Sequence, residues 1–361
     1  MTPSEEILKI TQDLIRFESS KNNPEEINKC FNYLENYLKD TGLKIEKIDI
    51  NGYPNLIVTK GTKTPIIFLS GHLDVVEGSP EQFAPKIVDD RLYGRGALDM
   101  KSGVAVMTYI MKEFADTKHD FGLIFTSDEE IGGFNGTKAL LDRGYSCQAA
   151  VIPDGGLAIH RVMHKAKGAI WIELKSTGIP AHASRPWLGE NAINKLLLSI
   201  DRIQNLFLDV SKHDNDHWNA TCNIGTIQGG DAPNRLAESA SAICDIRYTE
   251  NDDPESILKK IQDTLPDGVT ANLKLEVDTT YTAPDNPFLI AYQDSIRSIG
   301  REPELSADHG SSDGRFFSAR GIAVLMSEPD GGDPHSKNEW VSIAALHDYY
   351  QVLKNFLDKV A

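Results

Sequence analysis

Three short, almost wholly apolar runs stop abruptly at acids or a histidine: IIFLSGHLD from Ile66, LIFTSDEE from Leu123 and AVIPDGG from Ala150. A run of this length bounded by turn formers reads as a strand covered on both faces, which only a sheet layered with helices provides. Helical patterns lie between the runs, GVAVMTYIMKEF after the first and TKALLDR after the second. Strands alternating with helices in this way predict a doubly wound α/β fold with a mostly parallel sheet.

Parallel neighbours carry their exits to one sheet edge, where open α/β folds bind ligands. The exits carry His72 and Asp74, then Asp128, Glu129 and Glu130, then Asp154. The glycine-rich GRGALDMKSG adds Asp99 just before a helix, and GGDPHSKNEW adds His335 in a loop after the strand-like GIAVLM. So many carboxylates cannot stay ionised in a small space unless cations balance them. An imidazole and carboxylate set without thiolates suits zinc, cobalt or manganese, and there are donors enough for two ions. His72 and Asp74 share one side of an extended segment, which lets Asp74 orient the imidazole.

From about residue 167 the pattern changes to GAIWIELKSTG, ENAINKLLLSIDRIQNLF, ATCNIGTIQGG, ASAICDIRYTE, PESILKKIQDTL and TANLKLEVDTTY. The order β-α-β-β-α-β predicts an α+β unit of the ferredoxin-like kind. After APDNP the earlier style resumes. The expected division is a catalytic domain of residues 1–166 and 283–361, interrupted by an inserted domain of residues 167–282.

A net charge of −16 argues against nucleic acid or an anionic membrane as the main partner. The opening MTPSEEILKITQDLIRF has acids where a secretory leader carries bases, and no stretch of about 18 apolar residues occurs, so the cytoplasm is the expected compartment. Cys30, Cys147, Cys222 and Cys244 are far apart in sequence and form no C-x-x-C pair, so they read as buried thiols.

One rival chemistry is written in GSSDG, where Gly310, Ser312 and Gly314 satisfy G-x-S-x-G with Asp330 and His335 following in the order of a serine hydrolase. A nucleophile elbow follows a buried strand, whereas ELSADH is polar. GRGALDM, in turn, has Asp99 where a dinucleotide-binding loop needs its third glycine.

Taken in order, SGHLDVV, GRGALDMKSG, TSDEEIGG, VIPDGG, GIPAHASRP, GSSDGRFF and DPHSKNE closely resemble the zinc amidohydrolases that include succinyl-diaminopimelate desuccinylase, acetylornithine deacetylase, aminoacylase, carnosinase-like dipeptidases and carboxypeptidase G. The resemblance implies a zinc-peptidase-like catalytic domain with an inserted lid and dimerisation domain, two Zn2+ (with Co2+ or Mn2+ as substitutes) and a homodimer. It implies that His72, Asp99 and Asp154 hold one ion and Asp99, Glu130 and His335 the other, that Glu129 is the general base, and that Asp74 partners His72. In such a site two ions roughly 3.5–4 Å apart activate one water and polarise a carbonyl. His182 in the inserted domain would stabilise the oxyanion across the dimer, while Asn234, Arg247 and Ser311 would contact the substrate, an N-acyl amino acid or short peptide.

Asp154 stands where desuccinylases and deacetylases usually have Glu, and the shorter acid is commoner among dipeptidases. SSDGRFF and GRGALDMKSG resemble desuccinylases instead. A catalytically dead, peptide-binding relative should have lost a ligand or the base, and here all five ligands and Glu129 are present.

Overall fold

The computed structural model describes residues 1–207 and 217–361. The chain divides into two compact units: residues 1–165, 280–308 and 312–361 form one, and residues 166–279 with 309–311 form the other.

The first unit is built on a nine-stranded sheet whose centre is parallel, in the order Phe121–Thr126, Ile67–His72, Ala149–Ile152 and Ala323–Met326. All four strands are buried along their whole length, as strands covered on both faces must be. Leu69 lies opposite both Leu123 and Val151, and Met326 lies opposite Ile152. This register brings the strand exits level, and with them the residues that follow.

The flanks are antiparallel, which the sequence pattern did not reveal. On one side Lys44–Ile50 and Tyr53–Thr59 form a hairpin through Asn51 and Gly52, both at positive φ, as a two-residue Asn-Gly turn requires. A hairpin of this length fixes the second strand antiparallel to the first, and it then pairs antiparallel with Phe121–Thr126. On the other side Arg161–Ala166 pairs antiparallel with Ala323–Met326, and both Thr280–Tyr281 and the polar Glu304–Asp308 join it.

The helix Lys101–Glu113 starts two residues beyond Asp99, packs against Ile67–His72 and Phe121–Thr126, and also touches the terminal helices Pro3–Ile15 and Ile343–Val360. Its Gly103 lies so close to Pro153 that an added Cβ would fall on the proline ring. The start of this helix and the loop before Asp154 are thereby pressed together. A second sheet of four short antiparallel strands, Gly331–Gly332, Trp340–Ser342, Arg91–Tyr93 and Lys86–Val88, joins the segment before Asp99 to the segment around His335.

The second unit has an antiparallel sheet in the order Thr221–Gly229, Ser239–Tyr248, Gly168–Thr177 and Val269–Val277, with helices Ala192–Phe207 and Pro254–Thr264. This is the ferredoxin-like arrangement. Its own core gathers Ile170, Ile172, Leu196, Ile203, Ile246 and Ile261. All four cysteines are free thiols, but Cys222 and Cys244 are not far apart in space: Cys222 faces Ile246 and Cys244 faces Ile224 on paired strands, so the two are diagonal neighbours. No helix among the described residues is long and apolar enough to cross a membrane.

Gly103 separates two effects of opposite sign. Alanine is the better helix former by about 1 kcal/mol, yet its methyl group has nowhere to go against Pro153. Gly103→Ala is expected to lower the urea midpoint, and an unchanged or raised midpoint would show that the contact is looser than described.

Candidate active site

Each strand exit delivers one part of a polar cluster. His72 ends its strand fully buried, and its Nδ1 lies 2.9 Å from the main-chain oxygen of Asp74. A carbonyl only accepts, so Nδ1 carries the proton and Nε2 of the neutral ring presents a lone pair. That Nε2 is 3.1 Å from Oδ1 of Asp99. The other oxygen of Asp99, Oδ2, is 3.0 Å from Nε2 of His335, and this same nitrogen is 3.1 Å from Oε1 of Glu130. Asp99 therefore sits between two imidazoles, with one oxygen to each.

Asp74 does not hold the His72 ring with its carboxylate, as the resemblance implied: Oδ1 lies 3.6 Å from Nδ1, too long for a hydrogen bond, and the main-chain oxygen of Asp74 takes that place. Its carboxylate instead accepts the backbone N–H groups of Glu129 at 3.3 Å and Glu130 at 3.0 Å. These two acids open a short 3-10 turn, Glu129–Ile131, closed by Gly132 at φ 113°. With three residues per turn, neighbouring side chains diverge by about 120°. Glu129 and Glu130 thus serve different directions from adjacent positions. Gly133, at φ 66°, passes so close to Asp313 that any side chain there would collide with its carboxylate.

The electrostatics describe a site with too much negative charge. Burial pushes Asp154 up to about 7, helped by the charge of Asp99 and opposed by His72. Burial likewise raises Glu129 well above the usual range, against the pull of His72 and with help from Asp154. Burial also raises Asp99, but its bonds to His335 and His72 outweigh this and hold it well below the usual carboxylate range. Bonds to Asp99 and Glu130 lift His335 to about 10. Burial works to lower His72, yet Asp74 and Asp99 raise it well above its ordinary value.

Without cations this cluster can balance itself only by protonation. The ligand atoms of Asp99, Glu130 and His335 all lie within 4.8 Å of one another, and His72 adjoins them through Asp99. Imidazole nitrogens and carboxylate oxygens converging at about 3 Å are the donor chemistry of a borderline divalent ion, which would take the place of the ring protons. The residues fit such a group. A cavity of about 410 Å3, lined by Lys21, Val75, Val76, Glu77 and Ile131, borders Glu130 and His335.

Four charged residues escaped the sequence reading. Glu339 and Arg95 form a buried ion pair at 2.7 Å, and Glu339 also accepts from Asp99 N at 3.1 Å. Both lie inside the segments that carry the expected metal donors Asp99 and His335, GRGALDM and DPHSKNEW. Glu328 follows AVLM as Asp154 follows AVI, so the rule of acids at strand exits points to it; it accepts from Leu157 N at 2.7 Å, and burial raises its pKa well above the usual range. Asp313 accepts from the Thr137 hydroxyl at 2.6 Å. Asp128, pushed up to about 6 by burial, accepts from Asn135 N at 2.7 Å and so braces the turn after Glu130.

The serine-hydrolase reading fails. The Ser312 hydroxyl is buried, accepts from Gly314 N at 3.3 Å and rests 3.4 Å from the Met326 sulfur. His335 faces Asp99 and Glu130, while Asp330 bonds Arg301 and Ile159.

Within the second unit, His182 and Asn234 lie on neighbouring segments, since Ala183 N donates to Asn234 O at 2.9 Å. His182 is exposed, and its Nδ1 accepts from Ser184 N at 3.2 Å, so the neutral ring carries its proton on Nε2. Arg247, expected to contact the substrate, turns its Nε and Nη2 onto Asp245 at 2.8 and 3.0 Å, so its guanidinium is engaged within its own strand. Ser311 is partly buried in the loop after Glu304–Asp308.

Residues 68–359 match the model of peptidase family M20/M25/M40, and the chain belongs to that family. It is a metallohydrolase of the peptidase and desuccinylase kind, acting on amide bonds. Among curated proteins it is 29% identical to succinyl-diaminopimelate desuccinylase of Hydrogenovibrio crunogenus, over 98% of each chain. It is 27% identical to that of Shewanella piezotolerans, over 91% of this chain and 92% of the other. Among solved structures, aminopeptidase PepT of Bacillus cereus superposes with a TM-score of 0.82 at 19% identity, covering 99% of this chain and 98% of that one. A dinuclear metal-binding M20 peptidase of Bacillus subtilis gives 0.70 at 15%, with 99% and 98% covered.

The charge balance predicts an unusual pH response in metal-free protein. Asp154, Glu129 and both histidines have folded-state pKa values above their unfolded ones, so their contribution is present at low pH and lost as pH rises through the folded values. Chelated protein should melt higher near about pH 5 than near about pH 8, and zinc should abolish or reverse the trend. A metal-free melting temperature that rises over this interval would contradict the assigned charges.

Proposed function

We propose that two divalent ions, zinc in the first instance and cobalt or manganese as substitutes, bind His72, Asp99 and Asp154 on one side and Asp99, Glu130 and His335 on the other. The observation that carries this reading is the Asp99 carboxylate facing one imidazole nitrogen with each oxygen. Ions held there would acidify a water and polarise the scissile carbonyl. Glu129 then accepts the proton of the attacking water and returns it to the departing amine. Asp74 supports this by fixing the backbone of Glu129 and Glu130, and His182 offers an Nε2–H to the developing oxyanion.

The substrate is an N-acyl amino acid or short peptide, with an N-succinyl diamino acid favoured, because the curated relatives that match nearly the whole chain bear the desuccinylase name. Asp154 favours a dipeptide instead. Asn234 and Ser311 are the candidate substrate contacts; Arg247 would have to leave Asp245 to join them.

A cytoplasmic homodimer completes the proposal. Thr221–Gly229 is an edge strand of the second unit with Ile227 exposed, and its neighbouring helix Ala192–Phe207 exposes Leu197 and Leu198. Open edges of this kind invite pairing with another copy. Ile227→Asp should shift the sedimenting species toward the monomer; a wild-type monomer at micromolar concentration would remove the dimer from the reading.

The function is tested with zinc-loaded protein on N-succinyl, N-acetyl and dipeptide substrates. Glu129→Gln should keep both ions and lose at least about 100-fold in kcat, the scale of a general base. Near-normal turnover by this variant would end the assignment. Best cleavage of N-succinyl-diaminopimelate supports the desuccinylase reading, and best cleavage of dipeptides the peptidase one.

A further inference from the structure

Arg95 and Glu339 form a buried ion pair beside the site, in which the carboxylate is saturated while Arg95 Nε has no partner among the described residues. Glu339 is 2% exposed and Arg95 3%. The carboxylate accepts four N–H groups: Arg95 Nη1 at 2.7 Å and Gly96 N at 3.1 Å on Oε2, and Leu98 N at 3.0 Å and Asp99 N at 3.1 Å on Oε1. Four is about the full capacity of a carboxylate, so Glu339 has nothing left for a metal or a substrate. Arg95 extends the connection, with Nη2 donating to His335 O at 3.2 Å and to Glu77 O at 3.5 Å.

The two loops so joined have little regular structure of their own. Asp99 closes a turn-rich segment after Arg91–Tyr93. His335 sits at φ 61° between the short strands Gly331–Gly332 and Trp340–Ser342. A buried ion pair contributes less to stability than well-packed apolar side chains of the same volume, so the pair is better understood by what it positions. It fixes the backbone of the Asp99 donor directly and that of His335 through Arg95.

We infer that Arg95 and Glu339 are positioning residues that set the spacing between Asp99 and His335, so that Arg95 governs one of the two metal sites and Glu339 governs both. This rests on the metal assignment proposed above. Asp99, Glu130 and His335 form the site that contains both tethered loops, whereas the site of His72, Asp99 and Asp154 contains only the Asp99 loop. Loosening Arg95 frees His335 alone; loosening Glu339 frees the shared Asp99.

The test is metal binding rather than turnover: Zn2+ stoichiometry and affinity in chelator-buffered calorimetry, with the visible spectrum of the Co2+-loaded protein as a second readout. Arg95→Met should weaken one ion about 10–100-fold, as is usual for loss of a group that orients ligands, and leave the other nearly unchanged, with half of the Co2+ spectrum retained. Glu339→Gln should weaken both. If Arg95→Met does not fold, Arg95→Met with Glu339→Gln removes both buried charges together and should fold, with both ions weakened.

Two ions bound at wild-type affinity by the folded variants would overturn the inference, and so would equal weakening of both ions by Arg95→Met alone. Fewer than two ions in the wild-type protein would instead defeat the metal assignment itself. The two failures are therefore distinguishable.

Discussion

The position of Asp99 between two imidazoles is the constraint on which the rest of the site depends. A carboxylate with one oxygen toward His72 and the other toward His335 requires those rings to arrive from opposite sides. His72 comes from the middle of the parallel sheet, and His335 from a loop framed by the small antiparallel sheet. Asp99 lies between a strand of that small sheet and the helix Lys101–Glu113. The main sheet supplies one half of the cluster and the small sheet the other, and neither alone would bring the two histidines to one carboxylate.

Charge then determines what the surroundings must do. With Asp154 pushed up to about 7 and Glu129 pushed well above the usual carboxylate range, the metal-free cluster is in conflict with its own burial. Hydrogen bonds on the backbone hold the surrounding turns in place against that conflict. Asp74 binds two N–H groups of the Glu129–Ile131 turn, Asp128 one N–H beyond it, and Glu339 three N–H groups of the Asp99 segment. Acids that are not ligands are thus spent on peptide groups. A cluster of this kind keeps its geometry while its net charge changes, which a site that binds and releases cations needs.

Much of this was legible in the sequence because the strand exits obey one rule. Apolar runs that end in acids or histidine located His72, Glu129, Glu130 and Asp154, and the same rule applied to AVLMSE would have located Glu328. What stayed hidden has a physical reason in each case. On one flank Lys44–Ile50 and Tyr53–Thr59 are antiparallel because Asn51-Gly52 makes a tight hairpin, a local signal that βαβ alternation does not carry. Arg95 and Glu339 are 244 residues apart, and their pairing depends on a small sheet whose strands are two or three residues long, too short to leave a periodic pattern. The neighbourly placement of Cys222 and Cys244 likewise follows from register rather than spacing.

Asp74 illustrates how far a motif can be read and where geometry takes over. Its place in HLD, two residues after a histidine on an extended segment, implies a carboxylate that orients the ring. The main-chain oxygen does that instead, at 2.9 Å, and it does so whatever side chain stands at the position. The carboxylate is consequently free to bind the N-terminal turn of Glu129–Ile131, where exposed N–H groups favour an anion. One residue thereby joins the strand that carries His72 to the turn that carries the acid pair. Asparagine here would keep the carbonyl contact with His72 but offer only one acceptor oxygen to two N–H groups. Its effect would fall on the direction of Glu129 and Glu130 rather than on the imidazole.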